Sequence, residues 1–316
     1  MVYIAATAVA HHTIAHEIQF HLKRELSVVS WFRDPFRGLL LALVLFACAE
    51  PLAQQTPAPA PSHEPRIQDN SFLVEEAYNQ EYGVVQHISG FTRFWNSKDW
   101  VYTFTQEWPV PGDARHQLSY TLAVVSAGSL PDSRPGIGDA ALNYRYQLVG
   151  NSNSRIAFAP RISMFLPSGD PEQGRGFGGL GLQSNLPLSL VLKRKLVSHW
   201  NLGATIVPHA RNADNQRATT VGYNLGQSFV WLFRPRFNFL LETVFARSQS
   251  IIAPQKTEWS SSLLLNPGVR WAYNFKNGLQ IVPGVAAPIG VGPSAGEKGV
   301  FLYLSFEHPF RKLPKD

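Results

Sequence analysis

The sequence predicts an all-β protein, a transmembrane antiparallel outer-membrane β-barrel of about twelve strands. Three observations predict this class. Only 16% of the 316 residues are charged while 45% are hydrophobic, whereas a soluble domain carries about 25% charged residues. The mean hydropathy is nevertheless −0.10, and no stretch of ~18 consecutive apolar residues predicts a membrane-spanning helix. Polar and apolar residues instead alternate over long stretches, as side chains do on the two faces of a strand.

The N-terminal part is predicted to hold targeting and connecting segments. Residues 31–49 have the basic start, apolar run and A-x-A site of a signal peptide, so residues 1–30 are a gene-model extension or a long n-region. The run also loosely resembles a lipobox, which leaves lipidation of Cys48 as an alternative. Cys48 is the single cysteine, which excludes a disulfide framework and a CxxC metal site. Residues 50–70 form a Pro/Ala-rich linker.

Residues 71–82 precede the first strand and are predicted to be a periplasmic lead-in or a plug. Apolar and acidic residues are interleaved here, as in a short amphipathic helix that would close the periplasmic mouth of a barrel. The same residues could merely lead into the first strand. The sequence leaves both alternatives open.

The barrel is predicted over residues 83–310, followed by a C-terminal tail at 311–316. Between residues 155 and 166 one parity is small or charged, and the other is wholly apolar: Ile156, Phe158, Pro160, Ile162, Met164 and Leu166. The second and last strands alternate in the same way. Such stretches exceed the ~5–6 residues of an average globular strand and match tilted membrane strands.

The joins between strands alternate in length. Short joins are predicted at 111–115, 151–154, 193–195, 234–236 and 276–278. Long joins are predicted at 126–136, 168–179, 210–218, 248–256 and 290–298. Short periplasmic turns and long external loops are typical of outer-membrane barrels, and an even strand number leaves both termini in the periplasm.

A secreted β-sandwich is the alternative fold, because its strands alternate too. Sandwich strands are mostly shorter, and the surface of a sandwich is richer in charge. Aromatic residues near strand ends, such as Trp95, Trp200 and Trp271, match the interfacial girdles of a barrel. We therefore favour the barrel.

Two sequence motifs of catalytic proteins are present, but neither has the structural context that its function needs. Residues 174–179 satisfy GxGxxG, but an alternating strand follows where a dinucleotide site needs a helix. Residues 292–296 satisfy GxSxG, but a strand again follows where a nucleophile elbow needs a helix. No H-E-x-x-H motif of a zinc hydrolase occurs in the sequence. The sequence thus predicts no enzyme, no cofactor and no metal, with a lipid hydrolase that uses Ser294 or another rim serine as a distant alternative.

Polar side chains on the inward parity are the candidate functional residues. A charge on the lipid face costs about 2–4 kcal/mol at mid-bilayer, so these residues are predicted to line the lumen. The candidates are Asp139, Asn143, Arg145, Arg155, Arg161, Thr205, His209, Arg211, Glu242, Asn266 and Arg270. They could line a polar pore, or they could pair across the lumen and close it.

Several stretches resemble a known family. EEAYNQEYGVVQHI, PGIGDAALNYRYQL at 135–148, FLPSGD at 165–170 and the Phe-rich last strand together look like the outer-membrane "meta-pathway of phenol degradation" family, which is similar to FadL-like transporters. The resemblance covers roughly residues 70–310. It implies a barrel that admits aromatic or other hydrophobic molecules, and it implies no catalytic residues.

The predicted function is therefore an outer-membrane channel that passively admits small hydrophobic or aromatic solutes. A structural or adhesive barrel with a closed lumen is the first alternative. The expected partners are outer-membrane lipid and lipopolysaccharide, the barrel assembly machinery and the solute. Nucleic acid is not expected, because the basic residues are scattered along the chain and form no stripe.

Overall fold

The computed structural model describes residues 67–130, 132–275 and 279–309. These residues form twelve antiparallel strands, some of them in two segments. The strands are β1 (Val84–Phe94), β2 (Trp100–Val110), β3 (Asp113–Ser126), β4 (Gly136–Ile137 and Ala140–Tyr146), β5 (Ile156–Phe158 and Arg161–Leu166), β6 (Gly181–Asn185 and Leu188–Lys193), β7 (Leu196–Arg211), β8 (Arg217–Arg234), β9 (Phe237–Ala253), β10 (Lys256–Trp271 and Tyr273–Asn274), β11 (Gln280–Ala286 and Ile289–Gly290) and β12 (Gly299–Pro309). Single 3-10 turns lie at Pro171–Gln173 and Gly292–Ser294.

The sheet closes on itself. Each strand pairs with its sequence neighbours, and β1 pairs antiparallel with β12 from Val84↔Pro309 to Phe94↔Gly299. The predicted closed barrel of about twelve strands is therefore confirmed. Prolines cause three of the interruptions within strands, at Pro160, Pro187 and Pro288, because proline has no N–H for the ladder. Hydrogen bonds between the strands continue across these points. For example, the Ala159 N–H donates to Pro187 O at 3.2 Å.

The side-chain parity follows the prediction. In β5, Ile162 is 61% exposed while Ser163 is 1% exposed. In β12, Leu302 and Leu304 face outward while Ser305 is buried. An outward apolar surface of this kind suits lipid, and the inward surface is polar and covered.

The two ends of the barrel differ. Strands at one end, the short-turn end, are joined by tight turns such as residues 111–112 and 235–236. The other end, the long-loop end, carries loops such as residues 167–180. The predicted long join at 248–256 is mostly strand, because β9 continues to Ala253 and β10 begins at Lys256. The predicted join at 210–218 is shortened to residues 212–216, because β7 continues to Arg211 and β8 begins at Arg217.

Residues 67–82, here called the lumen segment, lie inside the barrel. They form neither helix nor strand, in contrast to the amphipathic helix that was one expectation. Phe72, Leu73 and Val74 are buried and join the main apolar cluster of the protein. The Phe72 ring centroid lies 5.2 Å from that of Phe301 and 5.1 Å from that of Tyr303, both of β12. The apolar core of the protein is therefore the contact between this segment and the wall.

Other sequence predictions fall outside the described residues. These are the extension at 1–30, the signal peptide at 31–49, most of the linker at 50–70, and the tail at 311–316. Within the described ranges there is no helix long and apolar enough to cross a membrane.

Candidate functional site: the lumen and its segment

The lumen segment enters and leaves the barrel at the short-turn end. At its start the Ile67 N–H donates to Pro235 O at 2.9 Å, in the turn between β8 and β9. Near its end Asn79 Nδ2 donates to Ala114 O at 3.0 Å, at the start of β3. Between these points the chain rises into the lumen and returns. Since it makes no ladder, its backbone polar groups need acceptors and donors from the wall.

Glu242 of β9 holds the tip of the segment. Its Oε1 accepts hydrogen bonds from the N–H groups of Phe72, Leu73 and Val74 at 3.0, 2.7 and 2.9 Å. Its Oε2 accepts from Asn266 Nδ2 of β10 at 2.7 Å, and both side chains are fully buried. Three successive N–H groups that converge on one oxygen form an anion nest, and a carboxylate strengthens each bond.

Glu75 forms the second attachment, through ion pairs. Its carboxylate pairs with Arg145 of β4 and, at 3.1 Å, with Arg161 of β5. Asn185 Nδ2 of β6 donates to the same carboxylate at 2.8 Å. Burial acts to raise the pKa of Glu75, but Arg145 and then Arg161 outweigh it and lower the pKa to about 2. The group is therefore charged at neutral pH.

The Glu75 backbone is held as well. The Glu75 N–H donates to Asn201 Oδ1 at 2.7 Å, and Asn201 Nδ2 donates back to Glu75 O at 2.7 Å. One wall amide thus replaces both partners that a neighbouring strand would supply. Arg145 Nη1 also donates to Tyr78 O at 2.6 Å. Residue 75 is consequently fixed by four strands of the wall.

Further wall groups fix the two legs of the segment. Arg270 of β10 donates through Nη2 to Gln68 O at 2.8 Å and through Nη1 to Asn70 O. His199 of β7 donates through Nε2 to Asp69 O at 2.9 Å. Ser189 Oγ contacts His199 Nδ1 at 2.8 Å and accepts from the Ala77 N–H at 2.8 Å.

Glu76 is a buried acidic side chain of the segment whose hydrogen-bond partner is uncharged. Asn70 Nδ2 donates to its Oε1 at 3.2 Å. Burial raises the pKa of Glu76 to about 8, although Arg145 opposes the rise. Glu76 is therefore mainly protonated at neutral pH while the segment is in place.

Little space remains beside the segment. A cavity of about 60 Å³ lies between its tip and the wall, next to Glu75, Arg145, Arg161 and Gln183. A water needs roughly 10–15 Å³ measured in this way, so the cavity holds a few waters and no organic solute.

On the long-loop side of the tip the wall includes a group of hydroxyl and amide side chains. Thr105 and Thr121 share a hydrogen bond of 2.8 Å. Gln183 Nε2 donates to Thr205 Oγ1 at 2.9 Å, and Asn143 Nδ2 donates to Ser119 Oγ at 3.2 Å. Hydroxyl and amide groups of this kind can bind water or a polar group of a solute.

The structure brings five predicted residues together around the segment. Arg145, Arg161, Glu242 and Arg270 contact it, and Asn266 holds Glu242. Thr205 and Asn143 lie in the polar wall described above.

Asp139 and Arg211 organise residues 167–180, a loop at the long-loop end. Asp139 accepts from the N–H groups of Gly169 at 2.9 Å and Phe177 at 2.7 Å. Arg211 Nε donates to Gly178 O at 3.1 Å.

Two predicted lumen residues are exposed, which corrects the expectation. Arg155 precedes the first residue of β5, in the turn region at the short-turn end, where the parity of the strand no longer applies. His209 sits in a bulge of β7, where the pairing register shifts between Val207 and Ala210, and its φ is 55°. A bulge inserts one residue and thereby changes which parity faces inward.

Glu75 and Asn185 are site residues that sequence reasoning missed. A signal for Glu75 was present, because Arg145 and Arg161 are directly opposite each other on neighbouring strands. Like charges in that position destabilise a sheet unless a counter-charge lies between them. The sequence places both arginines in the lumen, and their counter-charge comes from the segment that precedes the first strand.

Fold and lumen together define a closed antiparallel barrel of the outer-membrane type with a segment of its own chain inside. The chain is similar to the crystal structure of an outer membrane channel from Pseudomonas putida F1, at 12% identity and a TM-score of 0.52, over 73% of this chain and 97% of that chain. It is also similar to the NanC porin, at 8% identity and a TM-score of 0.47, over 70% and 98% of the two chains. At such identities the similarity shows the fold alone.

No family model matches the chain, and no curated protein matches it. The phenol-degradation family predicted from the sequence therefore has no support from these comparisons.

Proposed function

We propose that this protein is an outer-membrane channel whose lumen is closed by residues 67–82, and that small solutes pass passively when this segment withdraws. The observation that carries the proposal is the set of polar wall groups that hold the backbone and Glu75 of the segment through hydrogen bonds and ion pairs. Contacts of this kind form and break reversibly. A barrel whose only task was mechanical would gain more from an apolar, permanently packed interior.

The solute class follows from what surrounds the cavity. The sequence predicts hydrophobic or aromatic solutes, and Ile88 and Tyr303 supply apolar wall surface beside the cavity. The wall towards the long-loop end supplies hydroxyl and amide groups instead. We propose small solutes that combine an apolar body with a polar group. Outer-membrane location, lipopolysaccharide contacts and periplasmic termini belong to the same proposal.

A reversible tether tests the proposal. Ser71 Oγ of the segment donates a hydrogen bond to Ser228 Oγ of β8 at 2.6 Å, so the two side chains are in direct contact. We would replace both serines with cysteine in a Cys48→Ser background and measure solute flux and conductance in liposomes and bilayers. We expect the oxidised S71C/S228C protein to lose flux and a reductant to restore it.

A matched control places the disulfide within the wall. Ser248 and Ser260 pair directly across β9 and β10, so S248C/S260C links two strands without touching the segment. Its flux should not depend on oxidation. Equal flux through the oxidised and reduced S71C/S228C protein, or no flux through any folded variant, would contradict the proposal and favour a structural barrel.

The lipid-hydrolase alternative finds no support in the position of Ser294. This serine lies buried in a 3-10 turn, where its Oγ accepts a hydrogen bond from the Leu263 N–H at 3.1 Å. A nucleophile needs an exposed hydroxyl beside a base.

A further inference from the structure

Three donors from three adjacent strands converge on the carboxylate of Glu75. Arg145 pairs with one oxygen, while Arg161 Nη1 and Asn185 Nδ2 approach the other at 3.1 and 2.8 Å. These donors lie in a single row of the sheet, because Arg145 pairs with Arg161 and Arg161 pairs with Asn185 in register. Their spacing is therefore set by the wall and not by the segment.

The row would remain a cation-rich site if Glu75 left it. The side chains of Arg145 and Arg161 are only 3% and 13% exposed, and both are rigidly placed by strands. Glu75, Glu76 and Glu107 line the same cavity, and among the described residues Glu75 is the one that forms ion pairs with both arginines. Loss of its carboxylate would leave two buried guanidinium groups without a directly paired counter-ion, which is unfavourable. Planar guanidinium groups also match the geometry of a carboxylate, with two donors per group.

Unused hydrogen-bonding capacity surrounds the same place. Among the described residues, Arg145 Nε, Arg161 Nε and Ser163 Oγ are buried and have no hydrogen-bond partner. The cavity of about 60 Å³ adjoins both arginines, and a ligand group that approaches them would enter through it. Ile88 and Tyr303, which belong to the wall, line the same cavity and offer apolar surface.

We propose that Arg145, Arg161 and Asn185 form a binding site for small monocarboxylates with an apolar body, and that Glu75 occupies this site in the closed state. The inference rests on the proposed channel function and deepens it. A carboxylate that arrives from the long-loop end competes with Glu75 for the same three donors. Binding of the solute thereby releases the segment from its ionic attachment.

The test removes the Glu75 carboxylate from the site and measures whether a free carboxylate binds there instead. Benzoate is the probe, benzamide is its uncharged counterpart, and binding to the full-length protein in detergent is measured by titration calorimetry in carboxylate-free buffer. We expect E75A to bind benzoate about tenfold or more tightly than the unmodified protein, because the site is no longer occupied by its own carboxylate. Neither protein should bind benzamide.

Two further variants make the result specific. E81A removes an exposed carboxylate from the same segment and should bind benzoate as weakly as the parent protein. R161Q in the E75A background should abolish binding. If E75A does not show the heat-dependent gel mobility of a folded barrel, E75Q replaces it, since glutamine keeps the shape and removes the charge.

The outcomes separate the two proposals. Equal benzoate affinity in E75A and the parent, or binding that survives R161Q, overturns the carboxylate site. Binding that follows the expected pattern in a protein without flux upholds the site and overturns the channel. Flux that depends on the S71C/S228C tether without benzoate binding does the reverse.

Discussion

Replacing Glu242 with alanine should release the tip of the lumen segment while the barrel stays folded. The change removes one oxygen that accepts three backbone hydrogen bonds, at 3.0, 2.7 and 2.9 Å. Each buried donor left without an acceptor costs about 1–3 kcal/mol, which gives roughly 3–9 kcal/mol for three. Water from the adjacent cavity offsets part of this cost, so we take the lower end. A loss of about 3 kcal/mol shifts the docking equilibrium roughly a hundredfold.

Cysteine accessibility measures this equilibrium directly. In a Cys48→Ser background, Ser71→Cys places a thiol on the buried segment, where Ser71 is 5% exposed. A membrane-impermeant maleimide reacts only when the segment leaves the lumen, so the labelling rate follows the undocked population. We expect E242A to raise this rate about a hundredfold.

A carboxylate of the neighbouring strand provides the control. Glu258 of β10 is exposed at the long-loop end, and E258A should leave the rate unchanged. Equal labelling of E242A and its parent, in protein that keeps its heat-dependent gel mobility, would refute the reasoning that Glu242 holds the segment.

Three other predictions use the same reporter or simple proteolysis. Burial raises the pKa of Glu76 from 4.5 to about 8, so the docked segment binds more protons at Glu76 than the free one between these values; Glu76 should therefore weaken docking as pH rises from 4.5 through 8, and E76Q should reduce this dependence. The lowered pKa of Glu75 acts only below pH 4.5. Because the thiolate fraction raises the labelling rate with pH in every variant, the quantity compared is the ratio of the parent rate to the E76Q rate, and a ratio that stays constant between pH 5 and 9 would contradict the expectation. A Cβ at Gly284 would lie 2.6 Å from the Phe72 ring, so G284A should expel the segment and F72A should suppress the effect; identical labelling of G284A and the parent would argue against this contact. Asp139 orders residues 167–180 through two N–H groups, so D139A should speed tryptic cleavage at Arg175 without loss of the barrel, and unchanged cleavage would count against that role.

The wall of the barrel could be predicted because its signal is local and periodic. Ile162 and Ser163 are neighbours that face opposite media, and lipid and lumen demand different side chains at every second position. The strand count followed from the same period and from the turns. The proline interruptions did not obscure it, since the outward parity continues across them.

The interior of the barrel could be predicted only in part. Arg145, Arg161, Glu242 and Arg270 were placed inward because an outward charge is costly. The path of residues 67–82 has no period, and its partners lie far away in sequence; Gln68 and Arg270 are 202 positions apart. The tip geometry at Glu242 depends on three consecutive N–H groups, a backbone property that side-chain patterns do not report.

The remote partners of the lumen segment make its docking a late step of folding. Its tip is held by a residue 168 to 170 positions downstream. Contacts at such separation form late, because the intervening chain must first lose its conformational freedom. The pairing of β1 with β12, from Val84↔Pro309 to Phe94↔Gly299, joins residues that are still further apart, so docking of the segment and closure of the wall both belong to the end of folding.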